Sequence, residues 1–152
     1  QAINHVALTI AKVYRKAETA RRKVQDTLAL LPIELGFRIR GDPQASLNVI
    51  PMHLIENKVA DLRGAGGMWY ITNPHPPLLQ EVANEVGEAL GLNIQIVREF
   101  KPSPPELLLQ KLLTPFLPYL QGEPHFPTVV DKGFRLPRGY IRDMVRAFLQ
   151  AP

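Results

Sequence analysis

Three carboxylates and a lysine are the side chains best suited to a reaction: Glu18, Asp42, Glu56 and Lys58. Carboxylate oxygens of this kind hold Mg²⁺, and a neighbouring lysine can place or activate an attacking water. The histidines, His5, His53, His75 and His125, offer less. On a strand His53 and Glu56 would point to opposite faces, a poor metal pair. His75 lies between Pro74 and Pro76, which hold it as an exposed, rigid group able to cap a helix or act as a lone general acid or base. No Ser-His-Asp set is recognisable by spacing. The absence of cysteine excludes thiolate zinc sites, Fe–S clusters, disulfides and cysteine nucleophiles. The glycine-rich stretch from Arg63 to Gly67 is followed by no Gly-Lys-Ser/Thr and by an expected strand rather than a helix. It is therefore neither a phosphate loop nor a dinucleotide fingerprint, and its glycines read as conformational.

A helix glutamate (Glu18), an aspartate after a strand (Asp42) and the run Glu56-Asn57-Lys58 resemble the metal-binding set of restriction-endonuclease-like nucleases. The core of that fold also runs helix, three strands, helix, strand. The resemblance implies Mg²⁺ held by Asp42 and Glu56, with Glu18 and Lys58 completing a catalytic set. Two features depart from it. Asp42 sits in a Gly-Asp-Pro turn, where aspartate is common for local reasons. Glu56 and Lys58 end the second expected strand, whereas the family carries them on the third. Helix, three strands and helix also occur in double-stranded-RNA-binding domains, which open their second helix with a lysine cluster. Here that position reads Pro76-Pro77-Leu78-Leu79-Gln80-Glu81, without a cation, and that assignment is rejected.

Charge points to binding. The net charge is +4, and residues 3–31 hold six basic side chains against two acidic ones, which accounts for all of it. Lys12, Arg15, Lys16, Arg22 and Lys23 share one side of the helix expected there, and such a row can lie along a phosphate backbone or an acidic protein. No run of residues is apolar enough to span a bilayer, and no signal peptide is visible. Compartment is left open. The chain starts at Gln1, which suggests that it is processed or excised from a longer protein.

The elements that must position these groups read as follows. Ile3, Val6, Ile10, Val13, Ala17, Ala20, Val24, Leu28 and Leu31 recur in steps of three and four, predicting one long helix over 3–31 that Pro32 ends. Alternation over 33–40 predicts a strand. A second strand is expected over 47–55, broken at Pro51, and a third over 68–72. On that third strand Trp69 and Tyr70 would face opposite sides, one inward and one exposed. A helix is expected from Pro76 or Pro77 to Leu90, with Gly91 as its stop, then a fourth strand over 93–100. Ser103 and Glu106 form a capping box opening a leucine-rich helix that Pro115 and Pro118 interrupt. A last amphipathic helix covers 138–150. The sum is one α+β domain over 1–152. Its order is helix, three strands, helix, strand, helix, helix, with a mixed or antiparallel sheet of about four strands and helices on at least one face.

The leading expectation is a non-catalytic binding or assembly module with no cofactor. Its basic helix would dock an anionic macromolecule, nucleic acid ahead of acidic protein, and its surplus leucines would contact protein. Trp69, Tyr70, His75, Leu109 and Leu113 are the candidate partner contacts. The alternatives are the Mg²⁺-dependent nuclease and a pure protein-interaction subunit. No integral membrane association is expected.

Overall fold

The computed structural model describes residues 36–122 and 126–150, with Leu8, Thr9, Ala11, Lys12, Arg15 and Thr19 from the N-terminal stretch. Those six are helical. The rest of the helix expected over 3–31 lies outside the described residues, so a long N-terminal helix is no part of the described architecture.

Two strands form the sheet, β1 (Gly36–Arg40) and β2 (Asn93–Val97). They pair in parallel, with Phe37 opposite Ile94 and Ile39 opposite Ile96. Side chains alternate along a strand, so this register puts all four apolar residues on one face, where all are buried. Parallel neighbours require a long crossover, and residues 41–92 supply it through α1 (Met52–Asp61) and α2 (Leu79–Leu90).

The expected sheet of about four mixed or antiparallel strands is thereby corrected: among the described residues only two strands form, and they are parallel. The second expected strand fails at Pro51. That residue has φ −63° and ψ 139° and stands at the N-cap of α1. Proline suits a helix start as well as it disrupts a strand, and Met52, Ile55 and Val59 then repeat at helical spacing. The third expected strand, 68–72, forms no regular element and has no ladder partner among the described residues. It is held by separate bonds instead: Val129 N–H donates to the Tyr70 carbonyl (3.1 Å), and the Thr128 hydroxyl bridges the Thr72 N–H (3.1 Å) and carbonyl (2.6 Å).

The later elements follow the sequence more closely. α2 begins at Leu79 rather than at the prolines, where the Leu78 N–H donates to the Glu81 carboxylate at 2.8 Å. Gly91 ends it with φ 68°, a left-handed conformation that glycine adopts without a Cβ penalty. α3 (Pro104–Leu113) starts at the Ser103–Glu106 capping box. Pro115 then diverts the chain into a 3₁₀ turn, Thr114–Phe116, before the short α4 (Leu117–Leu120). α5 (Tyr140–Gln150) buries Ile141 and Val145. Its N-terminus is held by Glu85 of α2, whose carboxylate accepts from the N–H groups of Gly139, Ile141 and Arg142 at 3.0–3.2 Å. A carboxylate there satisfies donors that the helix itself cannot.

The core joins the inner sheet face to Val82, Ala83 and Val86 of α2, Leu109 and Leu113 of α3, and Ile141 and Val145 of α5. A bare two-stranded sheet is marginal in water and leaves both edges open. Side chains close them here. Gln80 lies along β2 like a third strand, donating from Nε2 to the Ile94 carbonyl (3.1 Å) and accepting at Oε1 from the Ile96 N–H (2.8 Å). On β1, the Arg38 N–H donates to Glu106 at 3.1 Å. Among the described residues, no helix is long and apolar enough to cross a membrane.

Candidate functional site

The expected site residues fall in three places. Of the basic row, Lys12 and Arg15 are described, both exposed on helical backbone; Lys16, Arg22 and Lys23 lie outside the described residues, as does Glu18. Asp42 occupies the turn after β1, not a metal cradle. Its carboxylate accepts from the Gln44 N–H (3.0 Å) and from Arg98 (3.1 Å), and these bonds hold it below the ordinary carboxylate range. Glu56 and Lys58 lie on helix α1 rather than on a strand. Glu56 is exposed, and Lys58 pairs with Asp61 at 3.2 Å. Among the described residues no group of three or more His, Asp or Glu side chains is placed to hold a metal.

Among the described residues, the one carboxylate with a strongly displaced pKa belongs to the frame. Glu106 is only 4% exposed. Burial pushes its pKa up, but donors from Arg38 and Ser103 outweigh burial and hold it down to about 2. Arg38 forks onto it through Nε (2.8 Å) and a terminal nitrogen (3.0 Å), and the Ser103 N–H adds a bond at 2.7 Å. The Arg38 guanidinium also lies 4.6 Å over the Phe100 ring. This is a satisfied internal ion pair that fixes α3 against β1.

The aromatic candidates lie elsewhere. α1 contains no buried residue. It runs through the glycine-rich loop into Met68, Trp69 and Tyr70, which are 80%, 48% and 36% exposed. Trp69 and Tyr70 therefore do not divide between core and surface, because no strand forms to alternate them. Tyr70 stacks on Phe126 with ring centroids 4.7 Å apart, and its hydroxyl lies 3.5 Å from the Met68 sulfur. On α1, Met52 and Val59 are also exposed.

Asn73 anchors the exit of this limb. Its side chain donates to the Val49 carbonyl (2.9 Å) and accepts the His75 N–H (2.9 Å), while its own N–H donates to Asn48 (3.0 Å). His75 Nε2 in turn donates to the Lys132 carbonyl at 2.8 Å. The ring is thus committed to holding the 131–135 turn against the start of α2.

The leucines divide between two roles. Leu109 and Leu113 are fully buried in the core, so they serve packing; Leu107, Leu108, Leu112 and Leu117 are the exposed members. Sequence reasoning missed Phe126, Met52 and Val59, although Met52, Ile55 and Val59 carry a helical period that starts inside the expected strand over 47–55 and runs past its end. It also missed a groove between β1 and α3–α4, whose signal was the surplus of leucines beyond one helix face. No family model, curated protein or solved structure matches the chain.

Proposed function

We propose that the chain is a non-catalytic assembly module that docks a partner protein through the limb formed by α1 and the segment up to Tyr70. One observation carries the reading: a helix of ten residues buries none of them and leads directly into an exposed aromatic cluster. A folded chain that keeps Met52, Val59, Met68, Trp69, Tyr70 and Phe126 in water gives up apolar burial on the order of 1.5–3 kcal/mol for each large side chain. Exposed large apolar side chains in such number are characteristic of contact sites, and tryptophan and tyrosine are the usual anchors. A photo-crosslinking residue at position 69, in cells that make the chain, should yield one discrete protein adduct. The same probe at exposed Glu88 should yield none. Equal labelling from both positions, or no adduct at 69, sinks the reading.

The charge distribution supports a second surface on the same module. All net charge lies within residues 3–31, and a basic row of that kind suits an anionic macromolecule, nucleic acid ahead of acidic protein. Affinity for a duplex or single-stranded oligonucleotide should fall steeply with salt and be lost on changing Lys12, Arg15, Lys16, Arg22 and Lys23 to Glu. Binding that ignores both removes the nucleic-acid reading.

A further inference from the structure

A second surface lies on the body of the molecule, apart from the limb. β1, α3 and α4 enclose an open groove of about 250 Å³. Its floor is apolar, made by Ile39, Leu113 and Leu120, all buried. Leu107 and Leu117 stand on its rim, 48% and 38% exposed. Arg40 and Lys111 also line it and are exposed, and neither forms an ion pair among the described residues. Among the described residues the lining thus holds two cations and no carboxylate. It also holds Gln110, whose Nε2 is a buried donor with no partner. Buried donors are nearly always paired, and one left open costs about 1–3 kcal/mol.

We infer that this groove binds a peptide segment of another protein in which an aliphatic side chain is flanked by aspartates or glutamates. Each part of the lining has its counterpart in such a segment. The floor takes the aliphatic anchor. Arg40 and Lys111 take the flanking carboxylates, and a peptide carbonyl accepts from Gln110. The groove is smaller than the ~300–1,000 Å³ typical of small-molecule sites, and it suits one large side chain better than a whole ligand. No aromatic ring lines it among the described residues, which disfavours the stacking that single-stranded nucleic acid requires. A two-fold contact with a second copy centred on this groove would set Arg40 and Lys111 against the same cations.

The test uses the full chain and a fluorescein-labelled Asp-Asp-Leu-Leu-Asp-Asp peptide, read by polarisation at low salt. Saturable binding is expected at or below about millimolar peptide. Reversing both cations (R40E with K111E) should weaken it roughly tenfold or more, because flanking charges set selection of a charged partner. Both positions are exposed, and the charge-conserving pair R40K with K111R should retain binding, which separates lost charge from lost fold. L107S should weaken binding, whereas W69A should not, so the groove and the limb are tested independently. In amide-resolved NMR the Gln110 side-chain NH₂ should shift as peptide is added. The inference is overturned by no binding at millimolar peptide, by equal affinity for Lys-Lys-Leu-Leu-Lys-Lys, by binding that survives charge reversal, or by a Gln110 amide that does not move. Binding abolished by W69A, or peptide displaced by self-association of the chain, overturns it as well.

Discussion

α1 and α2 lie within one crossover and are close in length, at ten and twelve residues, yet they contribute to the fold in opposite ways. α2 buries Leu79, Val82, Ala83, Val86 and Gly87 and lends Gln80 to the sheet edge and Glu85 to the start of α5. α1 buries nothing. Intrinsic preference separates them little: α1 mixes strong and weak helix formers, and the stronger formers of α2 are offset by Gly87. What separates them is the target. α2 lies between β2 and α5, so its apolar stripe meets a complementary face, whereas α1 leaves Met52 and Val59 in water and only half-buries Leu54 and Ile55, none of which joins the core. Helices this short are marginal alone and draw most of their stability from packing. The comparison therefore divides the molecule into a body whose helices are held by the core and a limb whose helix persists on local terms.

The same substitution at matched positions breaks or sharpens that division. Asn57 of α1 and Asn84 of α2 are both exposed, mid-helix asparagines. Proline at either removes one helical hydrogen bond and clashes with the preceding turn, a local penalty of about 3 kcal/mol. In α2 the penalty cannot be avoided by melting, because melting would strip the core of its stripe. Asn84→Pro should therefore lower global stability by at least about 3 kcal/mol in denaturant unfolding. In α1 the penalty is capped by the small local stability of the helix itself. Asn57→Pro should reduce the helical circular dichroism signal yet shift the unfolding free energy by less than about 0.5 kcal/mol. Equal losses from the two variants would mean that α1 belongs to the cooperative core, and the docking-limb reading would lose its basis.

Sequence legibility follows the same boundary. In the body, local signals and tertiary context agree: Gly91 stops α2, Ser103 and Glu106 open α3, Pro115 interrupts it, and the alternation around Phe37 and Ile39 reads directly as a strand. The sheet was misread because two segments with strand-like composition, 47–55 and 68–72, have no partner. β propensity describes fitness for a pleated, half-buried surface, and it misleads where no such surface exists. The parallel pairing is hidden for a related reason: it depends on the crossover being helical, and the expected strand over 47–55 covers the first turn of α1. Trp69 and Tyr70 were legible as contact candidates from residue type alone, although the alternation argued for them does not operate. The leucine surplus signals an apolar surface, but the charge of the groove is not legible, because Arg40 and Lys111 are far apart in sequence and only the seating of α3 on β1 brings them together.

That seating depends on Glu106, and its titration offers the finer measure of body against limb. The buried carboxylate takes the Arg38 fork and two backbone N–H groups, those of Arg38 and Ser103. Glu106→Gln keeps the shape but removes the charge that these donors address, and it should cost about 2 kcal/mol near neutral pH, since hydrogen bonds to a charged group contribute about 1.5–3 kcal/mol. Arg38 is the more exposed partner and can regain water, which keeps the loss below that of a fully stranded buried ion. The pH dependence fixes the sign. The folded carboxyl titrates at about 2, against 4.5 for the unperturbed group, so the folded state favours the ionised form. Its stabilisation is complete above about 4.5 and is lost as pH falls towards about 2. Asp42 and Asp143 are also held low, but both the native chain and the variant retain them. The difference between the two stability curves therefore isolates Glu106: it should be largest at neutral pH and shrink through the acid window. Amide exchange across the same window should show protection falling in α3 and β1 while α1, already near its local limit, changes little. A difference that stays constant with pH would mean that the Glu106 carboxylate is not the ionised group on which the seating of α3 depends.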